Sequence, residues 1–302
     1  MANTFATLNT DLMAQETLKA VVRQFPLLRS VGTNFAPSAL YGQTVKVSLA
    51  AEVSAQDYDT TNGYVSQDST NSEIDVTLDK HIHVTRKLNV EEAHSTDMDL
   101  IGQYSELDAA SIVKSMVANL FGKIVNPAVP TATQQTVAGI GDFGRDTLVD
   151  INTALRKRDV HSVGRYLVLN PEYYGALTKD ATLIDGDRNP GNGIVQSSEV
   201  FTADGTSIQY YNGLADNGEN LAGFSGVSDS FAIAQRIPTL AGFNAPGLGN
   251  FTETIATEAT SGLSMSVVEY IDPQKGTYER SYRLMFGTAI GNAVTIQKLA
   301  EA

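Results

Sequence analysis

A chain of 302 residues that is 42% hydrophobic and 18% charged can bury an ample core in one large domain or a few small ones, which excludes a disordered protein. Its net charge of −13 argues against nucleic acid as a primary ligand, because phosphate binding needs a basic footprint. An acidic wall could still enclose nucleic acid without adhering to it. Zero cysteines exclude disulfides and thiolate zinc sites.

The N-terminal stretch MANTFATLNTDLMAQETLKAVV lacks a basic start followed by an apolar run, so no secretory signal is expected. No segment approaches the ~18 consecutive apolar residues of a membrane span. A short amphipathic helix is expected where Leu12, Leu18, Val21 and Val22 can share a face, ended by Pro26. RSVGTNFAPSALYG then reads as an irregular, extended arm.

The most informative segment runs from Glu73 to Leu88. Ile74, Val76, Leu78, Ile82 and Val84 are apolar, broken only by Lys80, and every residue between them is polar. Period 2 marks a strand with one dry and one wet face. Sixteen residues at ~3.3 Å each reach roughly 50 Å, past the common strand length. The expected antiparallel partner is Thr44 to Leu49, joined through a polar stretch with an Asn62-Gly63 turn signal. An isolated two-stranded arm is marginal in water, so its apolar row needs another surface, and a neighbouring subunit is the simplest supplier.

A helix is expected from about Asp97 to Val125, with Leu100, Tyr104, Leu107, Val113, Met116, Leu120 and Ile124 inward, Ser95 or Thr96 as cap, and Asn126-Pro127 as stop. Arg145 to Lys157 predicts a second helix burying Leu148, Ile151 and Leu155. GRYLVLNPEYYGALTKD predicts a buried strand, Tyr166 to Leu169, feeding a helix capped by Asn170 with Pro171 at its first position. Residues 185–193 are an expected loop, and short strands with Gly-rich turns follow to about residue 250. LSMSVVEYI, a DPQKG turn and TYERSYRLMFG predict a hairpin, with AVTIQKL as a last strand.

Chemical motifs are sparse. GIGDFG, with Gly139, Gly141 and Gly144, matches a dinucleotide fingerprint, but TATQQTV before it is a poor buried strand, so a turn opening a helix is expected. Asp185, Asp187 and Asn189 imitate a calcium loop, but Pro190 and Gln196 stand where Gly and Glu are required. His81 and His83 share a strand face, with Asp79 as a third potential metal ligand, and read as solvated. Glu91, Glu92 and His94 form no metalloprotease motif, and GFSGV around Ser225 falls short of a nucleophile elbow. No catalytic, cofactor or metal residue is therefore expected. From Val47 through Asp79 there is no Lys or Arg but seven acids, Glu52, Asp57, Asp59, Asp68, Glu73, Asp75 and Asp79. An acidic tip of Asp57, Asp59 and Asp68 could dock on a neighbour's basic patch, for which Arg156, Lys157 and Arg158 are candidates.

In order and spacing, these elements resemble the major capsid proteins of tailed bacteriophages. The strand-then-helix segment GRYLVLNPEYYGALTKD and the closing VVEYIDPQKGTYERSYRLMFGTAIGNAVTIQKL carry the likeness, which covers nearly the whole chain. The resemblance implies an α+β capsid fold: N-terminal arm 1–40, extended hairpin loop 41–88, peripheral domain with spine helix 89–132, α/β axial domain 133–255, and a peripheral segment returning at 256–302. It implies an icosahedral shell of pentamers and hexamers around double-stranded DNA, assembled in the bacterial host cytoplasm and located in the virion. Partners would be the chain itself, a separate scaffolding protein, a portal and a cement protein, with no membrane, no sequence-specific DNA binding and no enzymatic activity. Some members cross-link through a lysine in the extended loop; this chain has none between Lys46 and Lys80, so a non-covalent shell is expected. An encapsulin-type compartment is the alternative. A hydrolase or lectin-like module with its site in residues 185–250 is the reading from another class.

Overall fold

The structure, a computed structural model, describes residues 31–34, 42–49, 55–61, 63–64, 72–89, 100–180, 183, 202–214, 218–238, 251–257, 264–272 and 274–302. The helix expected at 12–22, the caps Ser95 and Thr96, the 185–193 loop and Asp68 lie outside them. Strands β1 (Gly32–Asn34), β2 (Thr44–Leu49), β3 (Ser72–Thr77) and β4 (Lys80–Asn89) precede helix α1 (Leu100–Phe121). Then come β5 (Gln135–Ala138), α2 (Arg145–Arg156), β6 (Tyr166–Leu169), α3 (Pro171–Leu177), β7 (Thr202–Ala203), β8 (Thr206–Tyr210), β9 (Leu221–Gly226) and β10 (Phe231–Arg236). The chain closes with β11 (Phe251–Thr257), β12 (Ser264–Asp272), β13 (Thr277–Ile290) and β14 (Gln297–Glu301).

One sheet has the order β1-β10-β13-β12-β11, with β4 also paired to β13. The second runs β5-β14-β9-β6-β8-β7, and β2-β3 form a separate hairpin. Strands cross the expected division of the chain, and β11 (Phe251–Thr257), which straddles residue 255, lies wholly in the first sheet. Phe231–Arg236, inside 133–255, joins the first sheet, and Gln297–Glu301, inside 256–302, joins the second. A strand's sheet is decided by its hydrogen-bond partners, which residue order alone does not reveal.

β6 shows why this core closes within one chain. All four of its residues are buried, and their alternation sends Tyr166 and Val168 into one cluster and Leu167 and Leu169 into another. The first cluster packs α1 residues Met116, Val117, Leu120 and Phe121 against both sheets. Phe224 sits at its centre, with rings of Phe121, Tyr166 and Phe231 at 4.8, 6.1 and 5.7 Å. The second cluster packs Leu148 and Ile151 of α2 and Tyr173 and Leu177 of α3 on the opposite face. Pro171 stands at the first turn of α3 as the sequence requires, although Asn170 makes no side-chain cap bond.

Three expectations are corrected and one is refined. The 73–88 strand is two strands: Leu78 N–H still bonds Gln43 O, Asp79 N–H turns back to Thr77 O, and β4 then takes β13 as a new partner. The inward alternation survives this break, which is why the residues read as one continuous strand. Leu107 of α1 is 59% exposed, and the neighbouring Asp108 is buried instead, accepting from Arg86 Nε at 2.7 Å. Gln135–Ala138 is a strand with no fully buried residue, as the poor buried pattern of TATQQTV implied; at the sheet edge it needs only the one partner it finds in β14. Gly32–Asn34, expected to be irregular, pairs in parallel with Phe231–Ile233.

Candidate assembly surface

The β2–β3 hairpin opposes Val45 to Val76 and Val47 to Ile74, so both strands present one apolar row. Its inner end is covered by its own chain. Val45, Val76 and Leu78 pack on Ala232 and Ala234, with Met285 and Ala289 at the margin. Alternation along β10 provides this seat, because Phe231 and Ile233 point into the main core while the small alanines face the arm. Gly287 makes the approach possible: a Cβ there would stand 2.0 Å from Thr77 O. Arg236 closes the root, donating from Nη1 to Gly42 O at 2.6 Å. The inner end of the row therefore needs no outside partner.

Between β2 and β3, Asp59 organises a turn. Its Oδ1 accepts from Thr61 N–H at 2.8 Å, and its carbonyl accepts from Gly63 N–H at 2.8 Å. Gly63 has φ +69°, which glycine adopts without strain, matching the expected turn signal. Across this turn Tyr58 and Tyr64 meet with ring centroids 5.0 Å apart, yet remain 59% and 93% exposed. Asp57 beside them is exposed. The tip thus offers a self-stacked aromatic pair with carboxylates, a group that two tyrosines flanking a turn could have signalled.

The three expected cationic partners divide. Arg156 and Lys157 are exposed at the end of α2, with Arg156 Nη2 3.6 Å from Asp204. Arg158 turns inward, donating to Ala154 O at 3.2 Å, Ile296 O at 3.0 Å and Gln297 Oε1 at 2.6 Å, and burial lowers its pKa. Asp57 and Asp59 lie in the segment between β2 and β3, Asp57 exposed.

Groups with catalytic or ligand potential are used structurally. Ser225 is buried and donates to Tyr166 O at 2.9 Å, so its hydroxyl is not presented as a nucleophile. At GIGDFG, Asp180 Oδ2 accepts from Arg145 N–H at 2.8 Å, occupying the helix start where a phosphate would bind. An open cavity of about 540 Å³ lies beside it, lined by Ile140, Phe143, Arg145, Glu172 and Lys179 among others. His81 and His83 are both exposed on β4, and no cluster of metal-binding groups occurs among the described residues. No described helix is long and apolar enough to cross a membrane.

No protein-family model and no curated protein sequence matches the chain. Solved structures do. The capsid structure of the cyanophage P-SCSP1u aligns with TM-score 0.61 at 14% identity, covering 90% of this chain and 86% of that one. A structure from Mycobacterium phage Che8 aligns with TM-score 0.57 at 13% identity over 86% and 85%. The chain has a phage-capsid fold. A virus-like particle from Pyrococcus furiosus shares it, with TM-score 0.51 at 12% identity over 95% of this chain and 97% of that one.

Proposed function

We propose that this chain is the structural, non-enzymatic major capsid protein of a tailed bacteriophage, which self-assembles into an icosahedral shell of pentamers and hexamers around double-stranded DNA. The observation that carries this is the match of nine-tenths of the chain to a phage capsid at TM-score 0.61. In this assignment 1–40 is an N-terminal arm and 41–88 the extended loop. Residues 89–132 and 256–302 belong to the peripheral domain and 133–255 to the axial domain, with β10, most of β11 and β14 exchanged between them.

The physics agrees. Repeated weak contacts around closed rings hold each subunit through several partners at once. The tip acids Asp57, Asp59 and Asp68 are the arm's contribution to such a contact, with Arg156 and Lys157 as candidate receptors; Arg158 supports them from inside. A net charge of −13 limits adhesion of packaged DNA to the wall. Scaffolding, portal and cement proteins would be separate chains, and assembly would take place in the host cytoplasm before the shell becomes part of the virion.

The match to the archaeal virus-like particle favours one second reading, an encapsulin-type compartment that encloses protein cargo. Negative-stain electron microscopy of the chain, expressed alone and with its neighbouring genes, tests both. Closed shells with nuclease-protected DNA support the phage assignment. Shells filled with a cargo protein replace it by the second, and absence of any shell or ring overturns both.

A further inference from the structure

On the solvent face of the first sheet lies a strip of cations held only by neutral neighbours. His81 and His83 of β4 stand opposite Met285 and Arg283 of β13. On its other side Met285 is opposite Arg236 of β10. Directly opposed residues share a sheet face, so the two histidines and two arginines line one surface across three strands. Both histidines are exposed and both arginines half-buried. Arg236 donates from Nη1 to Gly42 O at 2.6 Å and from Nη2 to Met285 Sδ at 3.4 Å. Arg283 Nε donates to Ser281 Oγ at 3.3 Å.

None of the four forms an ion pair with another described residue. The other charged groups around the strip are engaged elsewhere or offset. Lys87 of β4 lies 3.7 Å from Glu279 of β13, and Lys46 of β2 lies 2.7 Å from Glu73 of β3. Asp75 of β3 stands opposite Lys46 in the hairpin, and Glu253 of β11 accepts from Ser266 Oγ at 2.8 Å. Asp79 and Lys80, both exposed and of opposite sign, precede His81.

We infer that this strip is a sequence-independent contact for the phosphate backbone of DNA. Its cations lie side by side on a sheet face, with His81 and His83 two residues or roughly 7 Å apart along β4. Such a row can follow a linear polyanion but cannot enclose a small ion. Guanidinium suits phosphate, which it can hold through two parallel N–H bonds. The one apolar side chain within the strip, Met285, is already taken up by the hairpin cluster and by Arg236. A protein partner needs an apolar anchor near the centre of its interface, whereas a nucleic-acid backbone binds by charge alone. The net charge of −13 repels DNA from the remaining surface, which confines the contact to the strip. Imidazole ordinarily gains its proton near ~6.5, and a phosphodiester stays ionised on both sides of that value, so acid should tighten the contact. That the DNA is a packaged genome rests on the shell assignment above; the contact itself does not.

Fluorescence anisotropy of a short labelled duplex with the full chain, in rising salt at about pH 7.5 and about pH 5.5, tests the contact. Affinity should be independent of duplex sequence, and its logarithm should fall with that of salt by about 0.9 per phosphate contact. Arg283→Gln should lower this slope by about one with thermal unfolding unchanged, and Arg283→Lys, which keeps the charge, should retain it. His81→Gln with His83→Gln should abolish the gain at acid pH. Poly-glutamate should compete on the order of tenfold more weakly than the duplex. In DNA-filled particles, His83→p-benzoylphenylalanine should capture DNA under ultraviolet light.

No duplex binding in low salt, binding unchanged by Arg283→Gln, or binding lost instead with Arg156→Gln and Lys157→Gln overturns the contact and leaves the shell assignment standing. Poly-glutamate competing as well as the duplex also overturns it, since the strip would then seat an acidic protein. Capture of protein alone from filled particles overturns the genomic role. A wild type that binds the duplex through Arg283 but never assembles keeps the strip and removes the shell assignment.

Discussion

Strand β6 is apolar at every position and strand β3 alternates apolar with polar residues, and they end in opposite conditions. In Tyr166–Leu169 both faces are buried, each supplied with a core by the same chain. In Ser72–Thr77 only Val76 is fully buried; Ile74 is half-buried, and Glu73, Asp75 and Thr77 face solvent. The first segment is complete as a monomer. The second is completed at its root by Ala232 and Ala234 and left open toward Tyr58 and Tyr64. Under the proposed function, stability and assembly fall to different regions, and substitutions should separate them.

The sharpest break on the closed side is Phe224→Ala. It removes a fully buried ring that touches three others and should cost about 3–5 kcal/mol in denaturant unfolding. Next comes Lys298→Ala. The Lys298 side chain is 1% exposed, and its Nζ donates to Glu219 Oε2 at 2.6 Å and Thr131 Oγ1 at 3.1 Å. Since Glu219 is itself 24% exposed and can rehydrate, a loss of roughly 2–3 kcal/mol is expected, below the full cost of a broken buried pair.

That pair also fixes a pH dependence. The hydrogen bond from Lys298, aided by Asn126 N–H, holds the Glu219 carboxyl below its usual range. A depressed carboxylate stabilises the fold above its unfolded value, about 4.3, and loses that contribution as pH falls through the folded one. Comparing unfolding free energies near pH 7 and below about pH 4, wild type should lose more stability than Lys298→Ala.

Gly287→Ala lies on the boundary between the two regions. Its methyl would collide with Thr77 O, so a cost of about 1–3 kcal/mol should come with a displaced arm and reduced assembly. Tyr58→Ser with Tyr64→Ser should leave thermal unfolding unchanged while lowering particle yield, because both rings are exposed in the subunit. Lys46→Ala, which removes a wholly exposed pair with Glu73, should change neither measurably.

Segments whose local pattern matches their final surroundings were legible from the residues. Arg145–Arg156, Tyr166–Leu169 with Pro171 after it, and the β12–β13 hairpin, whose Asp272 Oδ1 accepts from Gln274 and Lys275 N–H, all carry their own signals. Features decided by distant partners were hidden. Alternation continues through Leu78–Asp79, so nothing local shows that β3 and β4 serve different sheets. The burial of Asp108 depends on Arg86, and that of Lys298 on Glu219, 79 positions away. At the candidate surface the acids and the turn were readable. The inward turn of Arg158 and the meeting of His83 with Arg283 were not, since both follow from β14 and β13 arriving from the end of the chain.

The central claim is that the open part of the arm makes this subunit assemble. Sedimentation velocity of wild type beside a variant in which residues 50–71 are replaced by a short Gly-Ser turn tests it most directly. Wild type should sediment as large closed particles, and the shortened variant as monomers or small rings with the same thermal unfolding. Particles formed by the shortened variant at wild-type yield, or a wild type that stays monomeric at every concentration, would contradict the account.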